Sequence, residues 1–408
     1  MDIRIEPRPL SGAVTPPPSK SQAHRLILCA ALAEGTSDLH NIGSSEDIEA
    51  TLRCAEALGA RFAYEGDSLR VTGLGGRTYS GALPRFDCGE SGSTLRFMIP
   101  VALAVAGGGL FTGRGRLMRR PQGPYFELFK EKGIAFEQTD EALRVEGRLP
   151  AGLYRLRGDV SSQFFTGLLL ALPLLDGPSR IEATTALESA DYIEMTRQAL
   201  SAAGVETEAG AGCYTVRPQR CRAFEASAEA DWSQAAFWIA AAALGNAVEL
   251  QGMNASSAQG DRRFAAFAGE LSRPGGVEID VSQCPDLVPP LAALAAVRQG
   301  TCRLSGAARL RLKESDRLKS VSAALNAMGA QVSEESEALE IHGLPSLRGG
   351  AEIDCAGDHR IAMMSAVAAT RCEQPVLLRG ADCVNKSYPA FWEEYSRLGG
   401  SCHVRELD

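Results

Sequence analysis

Six times along the chain, a polar loop of Ser, Gly, Asp or Pro runs straight into a long apolar stretch rich in Ala and Leu. The openings are Pro18-Ser19-Lys20-Ser21-Gln22, Cys88-Gly89-Glu90-Ser91-Gly92-Ser93, Gly158-Asp159-Val160-Ser161-Ser162-Gln163, Ala230-Asp231-Trp232-Ser233-Gln234, Cys284-Pro285-Asp286-Leu287 and Gly357-Asp358-His359-Arg360. They recur roughly 55 to 75 residues apart, the signature of a repeated supersecondary unit. Capping residues stand at each opening, so each predicts the amide-rich, positive end of a buried helix at a loop. Several such ends turned to one place make a site for a multiply charged anion.

Each apolar stretch gives way to a Gly or Pro turn and a short β-like run, as in Ser179-Arg180-Ile181-Glu182-Ala183, Ala247-Val248-Glu249-Leu250 and Thr301-Cys302-Arg303-Leu304. A second, amphipathic helix is predicted in each repeat, over 47–58, 125–132, 191–203, 262–271, 315–328 and 389–398. Several of these end in Gly, the usual left-handed stop, and lead into alternating strands such as Leu69-Arg70-Val71-Thr72. A helix apolar nearly all round belongs inside a domain and an amphipathic one on its outside. Six repeats then make three buried helices in each of two domains. A continuous solenoid is the other arrangement open to a repeat array. The prolyl run Pro16-Pro17-Pro18, which sets the N-terminal strand apart from the first repeat, favours two lobes.

Composition narrows the class further. A chain of 408 residues exceeds what one core usually covers, and 45% hydrophobic with 23% charged residues is ordinary for a globular protein. A net charge of −8 argues against a broad nucleic-acid surface. The eleven cysteines are scattered and form no C-x-x-C pair, which points to reduced, mostly buried thiols in a cytoplasmic protein. The start, Met1-Asp2-Ile3-Arg4-Ile5-Glu6, reads as a strand and not as a signal peptide. The longest apolar runs, such as 237–244, are too short to span a bilayer.

The polar openings hold the candidate chemistry. Lys20, Ser21 and Arg25 put an ammonium, a hydroxyl and a guanidinium within about a turn of one helix start, a set suited to one oxyanion. A capped helix with surface charges is the plainer reading of that segment alone. Gly89-Glu90-Ser91-Gly92-Ser93-Thr94 looks like a phosphate loop, but the Lys of a nucleotide-binding motif is missing. The loop Arg114-Gly115-Arg116-Leu117-Met118-Arg119-Arg120-Pro121 holds four arginines, which by themselves read as a solvated basic loop. Lys313-Glu314-Ser315-Asp316-Arg317, Asp358-His359-Arg360 and Asn385-Lys386-Ser387 complete the set. Most of these segments open repeat helices, and scattered surface charge has no reason to follow the repeat.

Pro18-Ser19-Lys20-Ser21, the 158–163 segment, Lys313-Glu314-Ser315-Asp316-Arg317, Asp358-His359-Arg360 and Lys386-Ser387 together resemble the 5-enolpyruvylshikimate-3-phosphate synthase family of enolpyruvyl transferases. The resemblance runs over essentially the whole chain in order. It implies an α/β fold, the two-domain inside-out α/β barrel built of six βαβαββ repeats, three per domain. It places the domains at 1–18 plus 229–408 and at 19–228, with the active site in the cleft between them. The implied reaction moves the carboxyvinyl group of phosphoenolpyruvate to the 5-hydroxyl of shikimate 3-phosphate, through a tetrahedral ketal, with loss of phosphate. Two phosphates and two carboxylates must be held, which calls for several Arg and Lys.

By the same resemblance, Ser21, Arg25, Ser161, Ser162, Ser189 and Lys313 hold shikimate 3-phosphate. Gly92, Arg120, Arg317, Arg360 and Lys386 hold phosphoenolpyruvate, and Lys20 and Gln163 touch both. Asp286 is the base at the 5-hydroxyl and Glu314 the proton relay at the methylene, with Lys20 and His359 sharing the proton transfers. No metal and no organic cofactor is implied; the partners are the two small-molecule substrates, with neither nucleic acid nor membrane, and the chain is expected as a cytoplasmic monomer. Two positions depart from the family pattern. Glu90 stands where Asn is frequent and could pair with a site cation, and Arg309 replaces another Asn and could reach the shikimate phosphate. The rival within the fold is transfer to UDP-N-acetylglucosamine, which usually requires a reactive Cys that the 107–120 loop lacks. The rival outside catalysis is a non-catalytic anion-binding scaffold, against which Lys20, Asp286 and Glu314 are all present.

Overall fold

In the computed structural model, which describes residues 1–66, 68–76 and 79–405, each of the six apolar openings leads into a helix. The first strands are β1 (Asp2–Glu6) and β2 (Ser11–Val14). The next stretch carries α1 (Lys20–Leu32), β3 (Thr36–His40), α2 (Glu46–Ala57), β4 (Arg61–Glu65) and β5 (Ser68–Thr72). Then come β6 (Arg85–Asp87), α3 (Gly92–Ala106), β7 (Gly108–Thr112), α4 (Gly123–Lys132), β8 (Ala135–Gln138) and β9 (Ala142–Glu146). A third repeat has β10 (Leu153–Leu156), α5 (Ser162–Ala171), β11 (Ser179–Ala183), α6 (Ala190–Ala202), β12 (Thr207–Gly210) and β13 (Cys213–Val216), and β14 (Glu225–Ser227) follows.

The remainder continues with α7 (Trp232–Ala243), β15 (Ala247–Leu250) and α8 (Phe264–Leu271). A fifth repeat holds β16 (Val277–Asp280), α9 (Val288–Ala296), β17 (Thr301–Ser305), α10 (Arg317–Ala327), β18 (Gln331–Glu334) and β19 (Leu339–His342). The last holds β20 (Glu352–Asp354), α11 (His359–Ala369), β21 (Val376–Arg379), α12 (Phe391–Arg397) and β22 (Ser401–Arg405). No helix among the described residues is long and apolar enough to cross a membrane.

The chain forms two compact units, an inserted one of Pro18–Glu229 and a flanking one of Met1–Pro17 with the described residues of Ala230–Asp408. The inserted unit has three four-stranded sheets, ordered β14-β3-β5-β4, β6-β7-β9-β8 and β10-β11-β13-β12. Each joins a parallel pair to an antiparallel hairpin, for example β6 with β7 across α3 and then β9 with β8. The flanking unit repeats this in β16-β17-β19-β18 and β20-β21-β1-β22, where the N-terminal strand completes the last sheet.

Two departures from a simple six-fold repeat follow from chain order. β14 leads by sequence into α7 yet pairs in parallel with β3, and β2 leads into α1 yet pairs with β15. The fourth repeat has only the two-stranded sheet β15-β2 and no closing hairpin, since residues 272–276 alone separate α8 from β16.

Each unit has one hydrophobic core, and α1, α3 and α5 or α7, α9 and α11 run through it. A fully buried Leu or Phe contributes about 1.5–3 kcal/mol, so these cores dominate stability. The packing of α3 on α5 shows how local chemistry is reconciled. Pro100 inside α3 has no amide hydrogen for the carbonyl of Arg96, and the Tyr125 hydroxyl donates to that oxygen at 2.8 Å instead. Gly167 on α5 lets the two helices meet there; a Cβ would lie 2.3 Å from the Tyr125 hydroxyl and 2.4 Å from the Arg96 carbonyl. Any larger residue at 167 would force the pair apart.

Candidate active site

Five of the six buried helices begin as the openings predict, with a side chain capping the first turn. Ser19 accepts from Gln22 N, Ser91 from Thr94 N, Ser161 from Gln163 N, Asp231 from Ser233 N and Gln234 N, and Asp358 from Arg360 N. The fifth does not. Asp286 lies in a 3-10 turn, Pro285–Leu287, ahead of α9 and caps nothing. Its carboxylate faces cations instead.

In the flanking unit, Asp286 Oδ1 lies 3.1 Å from Lys313 Nζ and 2.7 Å from Arg317 Nη1, and Oδ2 lies 3.3 Å from Arg360 Nη2. Arg317, 1% exposed, also donates to Glu314 Oε2 at 2.7 Å and, through Nε, to Asp358 Oδ2 at 2.7 Å. Three carboxylates therefore surround one guanidinium, and four of its five N–H bonds have protein acceptors. Burial opposes the charge on Asp286, but Arg360, Lys313 and Arg317 outweigh it and hold the carboxyl well below the usual range. The same contest leaves Arg317 raised, with burial opposed by Asp358, Glu314 and Asp286. Burial lowers Lys313 against the pull of Asp286.

Arg360 is anchored by Ser233 Oγ at 2.8 Å and by the Asp286 carbonyl at 3.1 Å, while its buried Nε has no partner among the described residues. Lys386 Nζ donates to Gly357 O at 2.7 Å, and its neighbour Ser387 accepts from Gln234 Nε2 at 3.2 Å. His359 is buried at the start of α11. Arg309 donates to the Ser282 carbonyl on the same unit.

In the inserted unit, Lys20 Nζ pairs with Asp47 Oδ2 at 2.5 Å. Arg25, buried beneath the start of α1, donates to Thr196 Oγ1 at 2.8 Å, Thr166 Oγ1 at 3.2 Å, Tyr192 O at 2.9 Å and Ser21 O at 2.5 Å. Burial lowers this guanidinium to about 10, so it stays charged at neutral pH. Gly92 sits against Arg120 so closely that a Cβ would lie 2.4 Å from Arg120 Nη1. Arg120 is buried, its Nε has no partner among the described residues, and it makes no ion pair there. Its loop neighbours Arg114 and Arg119 are exposed and pair loosely with Asp87 and Asp140 at 3.6 and 3.4 Å. The basic run therefore resolves into solvated arginines and one buried cation.

Gln163 is held between Ser93 Oγ at 2.9 Å and Arg96 Nη1 at 2.8 Å, next to the capping Ser161 and the buried Ser162. Ser189 precedes α6 in a left-handed conformation, φ 57°, without a side-chain cap bond. Glu90 points at the Gly115 turn, where a Cβ would meet its Oε2 at 2.7 Å.

Several residues that shape these groups were not singled out by sequence. Arg96 carries Gln163 and reaches the Pro121 carbonyl at 3.1 Å, so it braces the Arg120 loop. Its position one turn after Gly92 on α3 was the available signal. Asp47, near the start of α2, orients Lys20, and Ser233 orients Arg360. These pairings join residues 27 and 127 positions apart, beyond any local pattern.

The sequence matches the family described as EPSP synthase (3-phosphoshikimate 1-carboxyvinyltransferase) over residues 5–395. It is 43% identical to the 3-phosphoshikimate 1-carboxyvinyltransferase of Clostridium kluyveri, covering 98% of this chain and 97% of that one. The protein of the same name from Clostridium acetobutylicum is 42% identical over 99% of both chains. Among solved structures, an EPSP synthase from Acinetobacter baumannii superposes with a TM-score of 0.80 at 23% identity, covering 99% of this chain and 100% of that one. The enolpyruvyl transferase NikO from Streptomyces tendae does so at 0.76 and 16%, over 98% of each chain. These two share the fold, the enolpyruvyl transferase fold.

Proposed function

The chain belongs to the EPSP synthase family, and on that premise we propose that it transfers the carboxyvinyl group of phosphoenolpyruvate to the 5-hydroxyl of 3-phosphoshikimate, releasing phosphate. The observation that carries this reading is Arg120. A buried guanidinium without a protein counter-ion among the described residues, packed on the N-terminal turn of α3 at Gly92, is an open demand for an anion.

Addition–elimination needs the 5-hydroxyl to lose a proton and the methylene carbon of phosphoenolpyruvate to gain one. C–O bond formation gives the tetrahedral ketal, and expulsion of phosphate with loss of a methyl proton restores the vinyl group. Asp286, ionised at neutral pH, suits the first transfer, and Glu314 suits the second, with Lys20 and His359 as further proton-bearing groups. Lys20, Lys313, Arg25, Ser21, Ser161, Ser162, Gln163, Ser189, Asp286 and Arg309 hold 3-phosphoshikimate in this reading. Arg120, Gly92, Arg317, Arg360, Lys386, Lys20 and Gln163 hold phosphoenolpyruvate. The chain works as a cytoplasmic monomer without metal or organic cofactor.

Phosphate release from phosphoenolpyruvate, measured with 3-phosphoshikimate and separately with UDP-N-acetylglucosamine, tests the function. Release only with 3-phosphoshikimate is expected; release only with the nucleotide sugar would replace the reading.

A further inference from the structure

His24 lies one turn beyond Lys20 on α1, is 1% exposed, and belongs to neither substrate set above. Its Nδ1 is 2.6 Å from Thr51 Oγ1 on α2, which is 2.7 Å from Thr94 Oγ1 on α3. Thr94 Oγ1 is in turn 2.8 Å from Ser91 Oγ, the cap of α3 that accepts from Thr94 N at 3.2 Å. Four side chains thus form one buried chain across three helix starts. α1 and α2 are tied twice with the same four-residue step, Lys20 to Asp47 and His24 to Thr51.

The protons can be counted. Each hydroxyl has one to give, and His24 Nε2 has no partner among the described residues. If His24 Nδ1–H donates to Thr51, Thr51 to Thr94 and Thr94 to Ser91, with the Asp47 carbonyl a longer acceptor for both threonines at 3.4 and 3.5 Å, only the Nε2 lone pair is left without a partner among the described residues. Run in reverse, the chain would bury an Nε2–H with no acceptor, the costlier defect. The chain therefore has a direction, from His24 toward the α3 start.

We propose that His24 is a positioning residue: through Thr51 and Thr94 it fixes the start of α3, with Gly92, against the start of α1, with Lys20. The catalytic consequence rests on the function proposed above; the hydrogen-bond direction does not. Burial first, then Lys20 and Arg25, hold the ring neutral by pushing its pKa well below 6.5, which keeps it a single-proton donor. Misplacement by a fraction of an ångström at two anion-holding helix starts would be felt in turnover.

The test has two arms on the full chain. Nitrogen-15 spectra of the labelled histidines should show His24 as the Nδ1–H tautomer from pH 5 to 9; an Nε2–H tautomer, or protonation near pH 6.5, overturns the proposal whatever the enzyme does. In turnover, His24→Leu and Thr51→Val should each lower kcat about 10-fold. The double variant should lose no more than either single one, and His24→Asn, which keeps a donor, should recover most of the loss. Single losses that multiply in the double variant, absent losses, or an Asn variant as poor as Leu would each overturn it. Thr94→Val substitutes for His24→Leu should the latter fail to fold. A wild-type chain inactive with 3-phosphoshikimate would sink the proposed function while leaving the tautomer result to decide the chain.

Discussion

The cation cluster around Asp286 and the buried arginines Arg25 and Arg120 are held in opposite ways. In the flanking unit, Arg317, Arg360 and Lys313 are matched by Asp286, Glu314 and Asp358, so the cluster is close to neutral. In the inserted unit, Arg25 donates only to neutral oxygens, and Arg120 has no counter-ion among the described residues. Lys20 with Asp47 is the exception there. A compensated cluster is stable without ligand, and an arriving anion must displace a carboxylate. An uncompensated cation attracts an anion directly. The inserted unit thus presents uncompensated positive charge at Arg25 and Arg120, and the flanking unit presents cations already paired with Asp286, Glu314 and Asp358.

The comparison breaks most visibly through stability. Arg317→Met should destabilise the fold by about 3–5 kcal/mol, because the fully buried carboxylate of Asp358 would lose its guanidinium, while Asp286 keeps Lys313 and Arg360. Arg120→Met removes no protein partner and should cost far less, or stabilise. Urea unfolding of both variants checks this, and equal losses would erase the distinction between the units.

Next in size is turnover. Asp286→Ala and Glu314→Ala should each lower kcat by roughly 10²-fold or more, the scale for positioned acid–base groups. Asp286→Ala should at the same time bind phosphoenolpyruvate no more weakly than wild type, since it removes the competitor at Arg317 and Arg360. Weaker binding would mean that the carboxylate supports the anion site and does not occupy it.

Arg120→Ala should weaken phosphoenolpyruvate by about 1.5–3 kcal/mol, the value of a charge-assisted contact, with a smaller effect on 3-phosphoshikimate. Lys313→Met should do the reverse. Calorimetric titration of each variant decides whether the two substrates are divided in this way.

The smallest effect is on acid sensitivity. His24 is held well below 6.5 by burial, so the unfolded chain binds the extra proton first. Stability is therefore complete above about pH 6.5 and falls as the pH drops below it, by up to about 1.4 kcal/mol per pH unit for this one group. The depressed carboxyls of Asp286 and Asp358 contribute stability that is lost only below their unfolded value near 4. Unfolding midpoints between pH 7 and 5 should thus slope less in His24→Asn than in wild type, while Asp286→Asn should matter only at lower pH.

The six buried helices and most of their caps were legible because they are written within three or four residues: Ser19 to Gln22, Ser91 to Thr94, Asp358 to Arg360. Periodicity likewise fixed the amphipathic helices to within a few residues, since burial of one face depends on spacing alone. The capped start expected at the fifth opening is absent, because an Asp before an apolar helix has the same local pattern whether it caps or pairs, and Asp286 pairs. Its partners lie 27, 31 and 74 residues away, and only folding brings them to it.

So the sequence by itself determined the repeat, the helix starts and which charged residues gather at them, all short-range consequences of capping and amphipathic spacing. Tertiary structure decided the rest. It chose Arg120 over its three arginine neighbours for burial, sent Arg25 to Thr166 and Thr196, paired β14 with β3 and β1 with β21, and shortened the fourth repeat. Strand partners and buried ion pairs are settled by which distant surfaces exclude water together, and that competition is won only among assembled elements.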